Sequence, residues 1–150
     1  MAVTMLRERY RVDLVELQTT CETNYARLLR LLPSMRDSTQ VRQVATSHGE
    51  QLQGVLTLNV TEACPYTTTL QVSQQYRMPW LPALHMEVRV YHDARMAEVI
   101  SAQHARRFRG VYPYPNADMH HPDEKTQLNL FLAEWLSHAL ACGHELAPLG

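Results

Sequence analysis

With 150 residues, 45% of them hydrophobic and 19% charged, the chain has the size and make-up of one globular domain, which excludes intrinsic disorder. A net charge of −1 and a pI near 6.7 argue against a general polyanion binder, though a local basic patch stays open. No uncharged apolar run reaches the ~18 residues of a membrane span, and Cys21, Cys64 and Cys142 follow no CxxC spacing. A start that is charged from Arg7 onward, together with unpaired cysteines, leads to the expectation of a cytoplasmic protein.

In chain order, residues 1–12 read as a flexible charged arm and residues 13–150 as a single α+β domain. Asp13 and Glu16 form a capping pair ahead of an apolar stripe through Leu14, Leu17, Cys21, Tyr25, Leu28, Leu29 and Leu32. Pro33 ends that helix, and a break is expected near Thr19-Thr20. From Gln40 the apolar period becomes two. Leu52, Leu56, Leu58 and Val60 alternate with polar neighbours, and Gly54 holds one inward position. The same alternation runs through Tyr66, Thr68, Leu70, Val72 and Tyr76, then through Leu84, Met86, Val88 and Val90. Weaker runs follow at Met96, Glu98 and Ile100, and at Phe108, Gly110 and Tyr112.

Turns are expected at His48-Gly49-Glu50, Cys64-Pro65 and Asp93-Ala94-Arg95. Two prolines exclude the segment Arg77 to Pro82 from a central strand. Pro122, Asp123 and Glu124 open a second helix, whose stripe is Leu128, Phe131, Leu132, Trp135, Leu136, Ala139 and Leu140. Gly143 is expected as its left-handed cap. Neither helix has a helical neighbour in sequence. The expected fold is therefore α+β: an antiparallel meander of five to six strands, with N- and C-terminal helices packed on one face.

Three stretches together resemble the YqiB-like proteins, small bacterial proteins classed as a domain of unknown function. They are Cys21-Glu22-Thr23-Asn24-Tyr25 running into Leu28-Leu29-Arg30-Leu31-Leu32-Pro33; Val88 to Ala94 with Ala97-Glu98-Val99; and Tyr114-Pro115-Asn116 leading to Asp123-Glu124-Lys125, Gln127, Asn129, Phe131-Leu132 and Trp135-Leu136. His120 fits the family pattern, whereas His121 and Pro122 depart from it, which weakens any mechanism built on two adjacent histidines. The resemblance implies a bacterial cytosolic protein and supplies no reaction.

Chemistry-bearing residues fall into a few groups. His120, Asp123 and Glu124 can act as acid and base or hold a divalent metal, but capping and dipole-favouring carboxylates explain the same composition. His138 and Cys142, four apart, have a ligand spacing without a second pair to complete a site. Tyr91-His92-Asp93 invites a catalytic reading, but strand neighbours point to opposite faces, so His92 is expected to close a core edge while Asp93 starts a turn. GxSxG, GxxxxGK[ST] and GxGxxG are all absent, which removes the commonest hydrolase and nucleotide-loop designs. No cofactor or metal is called.

Charge is unevenly distributed. Six arginines (77, 89, 95, 106, 107, 109) face three acids between Arg77 and Arg109, whereas from Gly110 onward Lys125 is the single base against five acids. Arginine outnumbers lysine thirteen to one, and its planar fork suits bidentate contacts. Arg89, Arg107 and Arg109 have the phase of a solvent-side sheet face, and Tyr91 shares it.

The leading reading is a non-catalytic binding or adaptor protein. Its candidate ligand site is Arg89, Tyr91, Arg107, Arg109, Tyr112, His120, Asp123, Glu124 and Lys125, and its partner anchor is Trp80 and Leu81. The expected partner is a protein or a phosphate-containing small molecule. A small, metal-dependent enzyme built on His120, Asp123 and Glu124 is the rival, and an RNA-binding module ranks third.

Overall fold

In the computed structural model of the chain, the described residues are 2–48, 51–76, 84–104 and 122–145. Helix α1 spans Ala2–Leu31 and helix α2 spans Pro122–Cys142. The strands are β1 (Gln40–His48), β2 (Gln51–Ala63), β3 (Thr67–Tyr76), β4 (Leu84–Tyr91), β5 (Met96–His104) and β6 (Gly143–Glu145). They form one six-stranded sheet in the order β5-β4-β3-β2-β1-β6, every neighbouring pair antiparallel. The α+β meander read from the sequence is the observed architecture.

Period-two patterning explains the sheet's two faces. Val44, Leu56, Leu58, Val60, Leu70, Val72, Met86, Val88 and Val90 are each at most 3% exposed and share one face. Both helices cover that face, α1 lying against β5 while α2 touches both β1 and β5. From α1 come Tyr25, Leu28, Leu31 and Leu32, and from α2 come Leu128, Leu132, Leu136 and Ala139, all in the same core. At 1.5 Å per residue, the 21 residues of α2 reach about 30 Å, enough to cross the sheet. Among the described residues, no helix is long and apolar enough to cross a membrane.

Several local expectations need correction. Helix α1 runs unbroken through Thr19 and Thr20. The hydroxyls of Thr19, Thr20 and Thr23 donate to the carbonyls of Val15, Glu16 and Thr19 four residues back, which lets these residues sit inside a helix. Leu14, Tyr66, Tyr76 and Phe131, counted on inward stripes, are 58%, 66%, 42% and 42% exposed. In β5 the inward residues are Ala97, Val99 and Ala102, not Met96, Glu98 and Ile100. A register shift opposite Glu87 and Val88 inserts one residue there and resets the phase.

Gly143 begins β6 instead of capping α2, and its φ is not left-handed. Glycine is required there for closeness, because a Cβ would collide with the Ala139 carbonyl and the Val44 side chain. The chain thereby turns from helix into a strand beside β1. The sixth strand is thus C-terminal. The run Phe108, Gly110 and Tyr112 lies outside the described residues.

Candidate functional site

The solvent-side phase of β4 is set by its buried residues: Val88 and Val90 are fully buried, so Arg89 and Tyr91 project from the opposite face. Arg89 is exposed, lies opposite Glu98 of β5 in the strand register, and makes no ion pair among the described residues. Tyr91 donates its hydroxyl proton to Glu98 Oε1 at 3.0 Å. Burial first, then this bond to a carboxylate, pushes the Tyr91 phenol up, and the nearby Arg89 guanidinium opposes the shift. Lys125, from the first turn of α2, reaches Glu98 Oε2 at 2.9 Å. Both partners of this ion pair are about one-third exposed or less, so it locates the helix start on the β5 edge more than it stabilises it.

Of the residues read as a ligand site, the structure brings together Arg89, Tyr91 and Lys125, with Glu98 as the group that joins the last two. In the sequence that glutamate belongs to a weak period-two run and to a family-like stretch, and it is not among the candidate site residues. Glu124 follows in the same helical turn, half-buried, with Oε1 enclosed and without a hydrogen-bond partner. Asp123 also lies in this first turn. Arg107, Arg109, Tyr112 and His120 lie outside the described residues, as do Trp80 and Leu81. Among the described residues no group of three or more His, Cys, Asp or Glu side chains converges as a metal site. His138 and Cys142 are both exposed on α2.

Beneath this edge lie two buried polar networks. In the first, Asn129 of α2 accepts the backbone N–H of Val99 on its Oδ1 at 3.0 Å, while Cys21 Sγ approaches the same oxygen at 3.8 Å. Its Nδ2 donates to the Lys125 carbonyl, and its own carbonyl accepts from Asn24 of α1. Arg27 in turn donates to Asn24 Oδ1. One asparagine therefore ties two helices and the edge strand together, with every buried amide group used. Burial, reinforced by the Glu98 charge, pushes the Cys21 thiol up to about 11, which makes it a packing residue and an inert thiol.

The second network surrounds His92. Its ring bridges Tyr25 Oη at 3.3 Å and Thr68 Oγ1 at 2.7 Å, with both nitrogens engaged. Tyr25 meets the imidazole edge-on, and Arg95 lies over the tyrosine ring at 5.5 Å. Arg95 carries a left-handed φ of 56°, unusual for a side chain of this size, at the end of the β4–β5 turn. Burial and the Arg36 charge lower the His92 pKa against the opposing field of Asp93. His92 thus closes the core edge with both ring nitrogens bonded.

Comparison with known proteins bears on these residues. The family model for a protein of unknown function, DUF1249, matches residues 27–145. The chain belongs to the DUF1249 family. The uncharacterized protein YqiB of Escherichia coli strain K12 is 38% identical over 145 residues, covering 95% of this chain and 99% of the relative. The YqiB proteins of strains CFT073 and O157:H7 match to the same extent. No solved structure matches. The family-like stretches noted in the sequence supply the inter-helix network: Cys21, Asn24, Lys125 and Asn129 belong to them.

Proposed function

We propose that this DUF1249 protein is a non-catalytic binding protein whose recognition surface is the sheet face opposite the helices, centred on Arg89 and Tyr91, and that its partner is another protein. What supports the reading is the arrangement of layers. Both described helices lie on one face, so the guanidinium of Arg89 stands exposed on the other, beside a half-buried tyrosine, and among the described residues no carboxylate pairs with it. Arginine and tyrosine are the residue types that anchor protein interfaces, since each offers a rigid plane and polar edges. Glu98 and Lys125 add one charge of each sign nearby. Mixed signs suit a protein surface of complementary pattern better than a phosphate dianion, which would be repelled by Glu98.

The experiment is a comparative capture from cells using wild-type protein and the Arg89→Glu variant. Proteins retained by wild type and released by Arg89→Glu are the expected result. An identical set on both baits overturns this assignment. A nucleotide and inorganic-phosphate panel read by thermal shift runs beside it. Stabilisation by phosphate that vanishes in Arg89→Ala would replace the protein partner with a phosphate-bearing ligand.

A further inference from the structure

We infer that a second, independent site lies on the helix-covered face, and that it takes an uncharged planar heterocycle of nucleobase or nucleoside size. The inference starts from an interruption in the core. At one end of the sheet the inward positions of β1, β2 and β3 are Thr46, Gly54 and then Gln74 and Tyr76. Thr46 faces Gly54 across the β1–β2 pair, and Gly54 faces Tyr76 across β2–β3. At the inward position of the middle strand there is no side chain at all. A cavity of about 630 Å³ opens there, bounded above by the C-terminal half of α2 through Glu134, Trp135 and His138. Its volume falls within the roughly 300–1,000 Å³ of small-molecule sites.

The lining specifies the chemistry. Gln74 is 7% exposed, and its Nε2 donates one hydrogen to the Gln75 carbonyl at 3.3 Å. Its Oε1 accepts from no described residue and is not enclosed, so the amide presents an acceptor at the cavity wall. An amide that offers an acceptor beside a donor is complementary to a flat ring that presents a donor beside an acceptor, as nucleobase edges do. Gly54 is what allows this amide its position, because a Cβ there would stand 2.5 Å from Gln74 Nε2.

Trp135 and Tyr76 supply aromatic surface to the same cavity, and Gln53 adds a further amide at the wall. No arginine or lysine is among the described lining residues, while Glu134 contributes a carboxylate. That charge balance disfavours a phosphorylated ligand.

The test uses the full chain. Trp80 and Trp135 are its two tryptophans, so Trp80→Phe leaves Trp135 as the reporting indole. Titration with adenosine, guanosine, cytidine and uridine is expected to quench its fluorescence saturably for at least one nucleoside. Amide chemical-shift changes in the wild-type protein, confined to the ends of β1–β3 and to α2, give a reading that does not depend on the Trp80 variant. Gln74→Leu, shown folded by circular dichroism, is expected to weaken the best nucleoside by about tenfold or more. The matching 5′-monophosphate is expected to bind more weakly than the nucleoside. No response to any nucleoside up to about 5 mM, beyond ordinary weak binding, would overturn the site. Unchanged affinity in Gln74→Leu, or tighter binding of the monophosphate, would overturn the chemistry assigned to it.

Discussion

The two ends of the helix-covered face handle buried polar groups in opposite ways. At the β5 end, Asn24, Asn129, His92 and Thr68 are at most 5% exposed, and each is bonded to another element of the fold. Polar groups there are bonded from one element to another, the enclosed Glu124 Oε1 at the start of α2 excepted. At the other end, Thr46, Gln53 and Gln74 gather around a void, and the Gln74 amide keeps capacity in hand. A satisfied network positions structure, whereas an unsatisfied one at a cavity is available to a ligand. The difference separates scaffold from candidate site within one hydrophobic face.

Asn129→Ala should show the largest effect, since it strips the buried Val99 N–H of its acceptor and cuts the side-chain bond from α2 to β5, while the Asn24 bond to the Asn129 backbone carbonyl is kept. A loss of about 2–3 kcal/mol is expected in urea denaturation, with an unchanged m-value. Gly54→Ala comes next, at about 1–3 kcal/mol, because its methyl would press on the Gln75 carbonyl, which belongs to the strand backbone and yields poorly. If instead Gly54→Ala is neutral, the glycine is not what holds the cavity open.

His92→Gln should cost about 1–2 kcal/mol at pH 7 by disturbing the bonds to Tyr25 and Thr68. It also carries a pH signature. The folded His92 pKa lies below the unfolded 6.5, so the unfolded chain binds more protons in the window beneath 6.5. Wild-type stability therefore falls as pH drops from 7 towards 5, and the His92→Gln curve should be flatter over that range. Parallel curves would mean that His92 does not carry this acid sensitivity. Gln74→Leu should have the smallest effect on stability, within about 0.5 kcal/mol, because no other element depends on its amide. A large loss there would move Gln74 from the cavity's chemistry to the scaffold's.

Some of this contrast was legible in the sequence. Gly54 stood out as an inward position without a side chain, and His92 as an inward residue ending an apolar row. Arg89 and Tyr91 were placed correctly on the solvent side by alternation from Val88 and Val90. Asn24 and Asn129 were visible as letters in family-like stretches, but 105 residues separate them and no local pattern signals that they meet. The cavity was equally hidden. Thr46, Gln74 and Trp135 come from three elements, and a polar inward residue near a strand end looks the same whether packing covers it or leaves a void.

The linear chain by itself determined the α+β class, the antiparallel meander and which face of strands β2 to β4 is buried. Those depend on period two, on turn residues and on two amphipathic segments, all of which act between near neighbours. Only the tertiary structure decided that the sixth strand is Gly143–Glu145, that β5 reverses its phase at a bulge and that Thr46, Gln74 and Trp135 line one cavity. These outcomes turn on how far apart two layers are held and on which backbone groups meet. Such distances arise when distant segments pack, and no window of consecutive residues contains them.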